Sequence, residues 1–128
     1  VNVNDPKTSE KATQNEILAA FGALPFLRLW RQNTGAAKMR DGSYVAFGLV
    51  GSADLSGILR CGRRVEIEVK SATGRVRPEQ ERFANMIRAF GGFYVLARER
   101  LDVKTAIDEH LLSCGTCAGA GVYTPPRF

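Results

Sequence analysis

The sequence predicts an α/β protein, with a mixed central sheet flanked by helices. Three observations predict it. Val65, Ile67 and Val69 alternate strictly with Glu66, Glu68 and Lys70, the period of a half-buried strand. Phe83, Met86, Ile87 and Phe90 recur at helical spacing behind Pro78. Along the whole chain, segments of both periods follow one another, and helices flanking a sheet are the natural way to bury such a set.

The elements follow in order. Residues 1–9 hold few large apolar groups and read as a flexible leader. A helix is predicted over residues 10–21, capped by Ser9, with Ala12, Ile17, Leu18, Ala20 and Phe21 as its apolar face. Gly22 and Pro25 end it. Residues 26–32 alternate as a first strand, with Leu27, Leu29 and Arg31 opposite Phe26, Arg28 and Trp30. Residues 33–42 read as a polar loop and residues 43–49 as a short strand. Asp54 then stands on a turn between Gly51 and Gly57 that enters a strand over residues 55–59. Cys61, Gly62 and Arg63 make a tight hairpin into the strand of residues 64–70, and residues 71–77 form a polar, basic loop.

Pro78 suits the first turn of a helix over residues 78–90, whose positive end Glu79 and Glu81 favour. Gly91 and Gly92 end it. A buried strand over residues 93–97 and a short helix over residues 103–112 complete the core. Residues 113–128, rich in Gly and Pro, are expected to be irregular. One domain, residues 10–112, is thus bracketed by a leader and a tail. Trp30, Phe83 and Phe90 are expected in its core.

A length of 128 residues suits one domain, and 45% apolar content is ordinary for a globular one. Lys and Arg number 18 against 13 Asp and Glu, a net +5 that favours a polyanionic partner. No apolar run approaches the roughly 18 residues of a membrane span, and residues 1–14 lack an apolar signal core. A cytoplasmic setting is expected. Three cysteines, an odd number, argue against a complete disulfide framework.

The chemistry sits on Asp54, Glu68 and Lys70. Period-2 geometry puts Glu66, Glu68 and Lys70 on one face, with neighbouring Cα atoms about 6.5–7 Å apart. Two acids can hold a hard cation such as magnesium or manganese through oxygen. The Val69 carbonyl offers a third oxygen. Lys70 can orient or help deprotonate water and stabilise charge developing on a phosphoryl group. This set of groups suits phosphodiester hydrolysis.

Gly51-Ser52-Ala53-Asp54-Leu55, then Glu68-Val69-Lys70, the Gly74 loop and Pro78-Glu79-Gln80 opening a helix together resemble the core of the PD-(D/E)XK nucleases, and more narrowly the VRR-NUC family. The likeness spans about residues 16–97. It departs at Ala53, where the superfamily has proline, and in lacking the Val-Arg-Arg tripeptide, Arg75-Val76-Arg77 being nearest. The resemblance implies a restriction-endonuclease-like core and metal-dependent DNA cleavage. It also implies a first-helix glutamate in the metal site, matched by Glu16, and a helix-start glutamine, Gln80, contacting Lys70 or the metal-bound water.

The leading expectation is therefore a magnesium- or manganese-dependent, structure-specific DNA endonuclease, Holliday-junction-resolvase-like and homodimeric, from a bacterial or phage setting. Asp54, Glu68, Lys70 and Gln80 are its catalytic candidates, and Glu16, Asp54, Glu68 and Val69 its metal ligands. Lys38, Arg40, Arg75 and Arg77 are candidates for phosphate contacts that position DNA without reading it. Glu66 is expected at the surface or behind the site. The alternative is a nucleic-acid-binding module of the same fold without turnover. A third reading, a small zinc-stabilised interaction domain, rests on His110-x3-Cys114-x2-Cys117. That site needs a fourth ligand, Cys61 or a carboxylate; free thiols in a disordered tail are the preferred reading of that segment.

Overall fold

The computed structural model describes the backbone of residues 6–33 and 35–120, and side chains from Ser9 onward. Helix α1 is Pro6–Phe21, so it starts before the predicted cap and Ser9 lies inside it. A proline in the first turn costs no hydrogen bond, since the first helical amides have no partner in any case. Strands β1 (Ala23–Leu24) and β2 (Leu27–Arg31) follow, then β3 (Gly35–Lys38), β4 (Tyr44–Phe47), β5 (Leu55–Leu59) and β6 (Arg64–Val69). Helix α2 (Pro78–Ala89), strand β7 (Phe93–Ala97), helix α3 (Arg100–Ser113) and the single turn α4 (Gly115–Ala118) complete the order. Ordered helices thus run past both expected ends of the domain. The remaining leader and tail, residues 1–5 and 121–128, lie outside the described residues.

The fold is α/β with a mixed sheet of order β1-β2-β5-β6-β7. Strands β2, β5 and β6 run antiparallel, and β6 pairs with β7 in parallel through the α2 crossover. One face carries Leu27, Leu29, Leu55, Val65, Ile67 and Val95, which pack with Ile17 of α1 and with Val103 and Ile107 of α3. The other face is smaller and more polar. There Phe83 and Ile87 of α2 pack on Ala53, with Tyr94 at the margin.

Four expectations need correction. The segment read as a polar loop contains β3, which pairs with β4 as a separate exposed hairpin. Ala36 and Ala37 carry no periodic signal, so the pairing rests on β4 and not on their own pattern. Trp30 is 47% exposed, because α2 packs over β7 and leaves that face of β2 open. Phe90 is 86% exposed, since the buried stripe of α2 runs through Gln80, Phe83, Ala84 and Ile87 and Phe90 lies beyond it in the cap. Finally, β6 is buried on both faces and not on one. No helix among the described residues is long and apolar enough to cross a membrane.

Candidate active site

Where β5 begins, Asp54 faces the end of β6. Its Oδ2 accepts the Val69 amide at 2.8 Å, extending the β5–β6 ladder by a side chain. A strand residue's N–H and C=O leave by the same edge, so the Val69 carbonyl also faces the Asp54 side. Glu68 and Lys70 emerge together on the α2 face, 3% and 8% exposed, with Lys70 Nζ 3.6 Å from Glu68 Oε1.

Gln80 closes the site from the first turn of α2. Its Oε1 accepts the Arg77 amide at 3.0 Å, which leaves its Nε2 to donate to Glu68 Oε1 at 2.9 Å. Because Arg77 presents an N–H, the Gln80 amide can be oriented in only one way. The protein partner is therefore Glu68 and not Lys70, one of the two contacts expected of Gln80. Gly51 holds this turn of α2 against the Asp54 turn. It has φ +82°, and a Cβ there would sit 2.2 Å from the Glu79 carbonyl oxygen. Gly51→Ala is expected to cost about 2 kcal/mol in urea denaturation, from left-handed backbone and the clash together. Unchanged stability would show that the turn can shift freely.

Burial pushes the Glu68 carboxyl up to about 7, and the Asp54 charge beside it pushes the same way. Asp54 is also raised, chiefly by burial. Two carboxylates confined together in low dielectric repel unless a cation lies between them. Among the described residues, two buried side-chain polar atoms lack a hydrogen-bond partner, Glu68 Oε2 and Ser52 Oγ. Both residues line one open cleft of about 560 Å³, together with Asp54, Arg77 and Gln80. An unpaired carboxylate oxygen on a residue that lines a cleft can serve as a ligand atom. The donor set is oxygen only, which fits a hard cation.

The first helix contributes a different acid from the expected one. Glu16 is exposed and lines a separate hollow with Phe21, Glu99 and Lys104. Glu10 instead accepts the Ser71 amide at 3.1 Å and raises both Asp54 and Glu68 through its charge. The two lie six residues apart, about 240° round a helix, so they cannot share a face. Choosing between them needs the rotation of α1 about its axis, which Ile17 sets by burying in the core.

Other contributors carried no motif. Glu66 is fully buried, accepting Ser56 Oγ at 2.8 Å and Arg64 Nε at 2.5 Å. It is neither at the surface nor in the cleft lining. Tyr94 stands on the neighbouring strand, its hydroxyl pushed up to about 12 by burial and by the Glu68 charge, with the Arg88 guanidinium 5.0 Å above its ring. Arg98 Nη1 donates to the Ser71 and Gly74 carbonyls at 2.6 and 2.8 Å, shaping the basic loop.

Arg75 and Arg77 are exposed on that loop, and Arg77 reaches the cleft. Lys38 and Arg40 are exposed towards the far end of the β3–β4 hairpin, whose base (Gly35, Phe47) lines the cleft. No family model matches the chain, and neither a curated protein nor a solved structure matches it.

Proposed function

We propose that this chain is a metal-dependent DNA endonuclease with a restriction-endonuclease-like core, of the VRR-NUC kind. One observation carries the reading: Glu68 is buried beside Asp54 with Oε2 unpartnered, while Lys70 and Gln80 hold Oε1. A buried pair of acids with one lysine, Lys70, set against two carboxylates, lining a cleft, is costly for stability and suited to binding magnesium or manganese.

The ligands would be Asp54, Glu68 and the Val69 carbonyl, with Glu10 as the first-helix acid within electrostatic reach. Magnesium or manganese bound there supplies Lewis-acid polarisation of the phosphoryl oxygen and a more acidic bound water. The chain's own groups do the rest. Gln80 fixes the Glu68 rotamer, so the carboxylate does not have to reorganise during reaction. Lys70 would set a positive charge against the negative charge developing on the phosphoryl oxygens. In the net reaction a water oxygen bonds to phosphorus and gives up a proton, the phosphorus–oxygen bond to the leaving group breaks, and the leaving oxygen takes up a proton.

Arg75 and Arg77 would contact phosphates at the mouth of the cleft, and Lys38 and Arg40 further along the strand. Under this reading selectivity rests on DNA shape. A four-way junction, cut symmetrically by a homodimer, is the preferred substrate under this reading. The test is a labelled panel of junction, flap, nicked duplex, plain duplex and single strand, with magnesium, manganese or no added metal. Metal-dependent cutting of a branched substrate supports the proposal. Tight binding with no cutting of any substrate moves the protein to a binding module.

The double variant Arg75→Ala, Arg77→Ala is expected to bind junction about tenfold more weakly near 0.1 M salt. The slope of log affinity against log salt should fall by up to about 1.8, from two lost phosphate contacts. Fluorescence anisotropy without divalent metal measures both. An unchanged slope removes this loop from the DNA path.

A further inference from the structure

We propose that Cys61, His110, Cys114 and Cys117 form a closed zinc site that staples the C-terminal helices to the β5–β6 turn. The chain contains three cysteines and one histidine. All four meet, with their ligand atoms within 4.8 Å of one another. A tetrahedral site with zinc–sulfur bonds of about 2.3 Å needs sulfurs roughly 3.8 Å apart, so a small contraction completes it.

The backbone prepares this meeting from two distant segments. His110 and Cys114 stand one helical turn apart, the Cys114 amide donating to the His110 carbonyl at 3.0 Å. The α4 turn then brings Cys117 back under them, fully buried. Cys61 arrives from a hairpin about fifty residues earlier in the chain, its turn closed by Gly62 N–H to the Leu59 carbonyl at 2.8 Å. The Cys61 Sγ lies 3.9 Å from His110 Nε2, whereas Arg63 Nη1 lies 3.4 Å from Nδ1. The ligating nitrogen is therefore Nε2. Phe93 packs edge-on against the ring, 5.7 Å between centroids.

Three thiolates and one imidazole select zinc over magnesium or manganese, which prefer oxygen. Four protein ligands leave no position for water, so the site is structural and not catalytic. It stands near the start of β6 (Arg64–Val69), whereas Glu68 is near its end, about 13 Å further along the strand. The inference is independent of the nuclease reading.

Full-length protein, purified reduced and without chelators, is expected to carry about one zinc per chain by elemental analysis. Glu68→Gln should retain it, which separates this site from the carboxylate site. Replacing zinc by cobalt should produce the d–d bands of a tetrahedral centre and thiolate charge-transfer absorption, reduced by about a third in Cys61→Ser. Removing zinc should lower the melting temperature by roughly 10 °C, reversed by adding it back. Should Cys61→Ser fail to fold, the charge-transfer intensity of the wild-type cobalt form still counts the thiolates. Folded, reduced protein with no zinc and no cobalt spectrum overturns the proposal. So does zinc that is lost with Glu68→Gln, or a full cobalt spectrum in Cys61→Ser.

Discussion

Glu68→Gln is expected to lower metal-dependent cleavage by at least about a thousandfold, equivalent to about 4 kcal/mol of transition-state stabilisation. The substitution is nearly isosteric. A glutamine oxygen can still accept from Gln80 Nε2, which now holds Glu68 Oε1 at 2.9 Å, so the fold and the start of α2 should survive. What disappears is the negative charge and the anionic Oε2 that has no internal partner. Junction binding without metal should change less than about threefold, because phosphate contacts from the basic loops dominate affinity. Cleavage within about threefold of wild type would remove Glu68 from the metal site and with it the nuclease reading.

The parts of this site visible in the sequence were those whose spacing is dictated locally. Period 2 places Glu68 and Lys70 on one strand face whatever the rest of the chain does. Pro78 marks the start of α2, which brings Gln80 to that face. Asp54 depends on a turn that glycine makes possible. The same locality explains the central fold: β5, the Cys61–Gly62 hairpin, β6, α2 and β7 are each signalled by their own residues and joined by short connections.

The parts that were not visible depend on contacts between distant elements. Glu10 and Glu16 are both plausible on composition, and only the docking of α1 through Ile17 decides between them. Glu66 alternates with apolar residues just as a solvated residue would, but Ser56 on the paired strand and Arg64 two residues back satisfy it in the interior. The four zinc candidates failed as a motif for the same reason. Cys114 and Cys117 are local, but Cys61 joins them only when β6 and β7 align and α3 packs against β7. Trp30 shows the converse. Its size argues for burial, yet among the described residues no element covers that side of β2.

In buffer free of magnesium and manganese, wild-type stability is expected to fall as pH rises from about 4.5 to about 7, relative to Glu68→Gln. The sign follows from where the proton sits. Below 4.5, Glu68 is protonated in both the folded and the unfolded chain. Between 4.5 and its folded value of about 7, the unfolded chain releases the proton while the native site keeps it, so raising the pH favours unfolding. Above 7 both are ionised and the full cost of the buried charge remains. A shift of this size corresponds to at most about 3 kcal/mol. Asp54 is raised by the same burial, so the loss belongs to the acid pair and not to one carboxyl. Comparing the two proteins cancels His110 and the other groups remote from Glu68, and leaves Asp54, which is coupled to it, in the difference. Magnesium should then restore wild-type stability most strongly above pH 7, where both carboxylates are charged, and should do little for Glu68→Gln. Urea denaturation at pH 5, 6, 7 and 8, with and without magnesium, measures each term. Parallel curves for the two proteins would mean that Glu68 is not held in a charge-repelling environment, and its assignment as a cation ligand would fail.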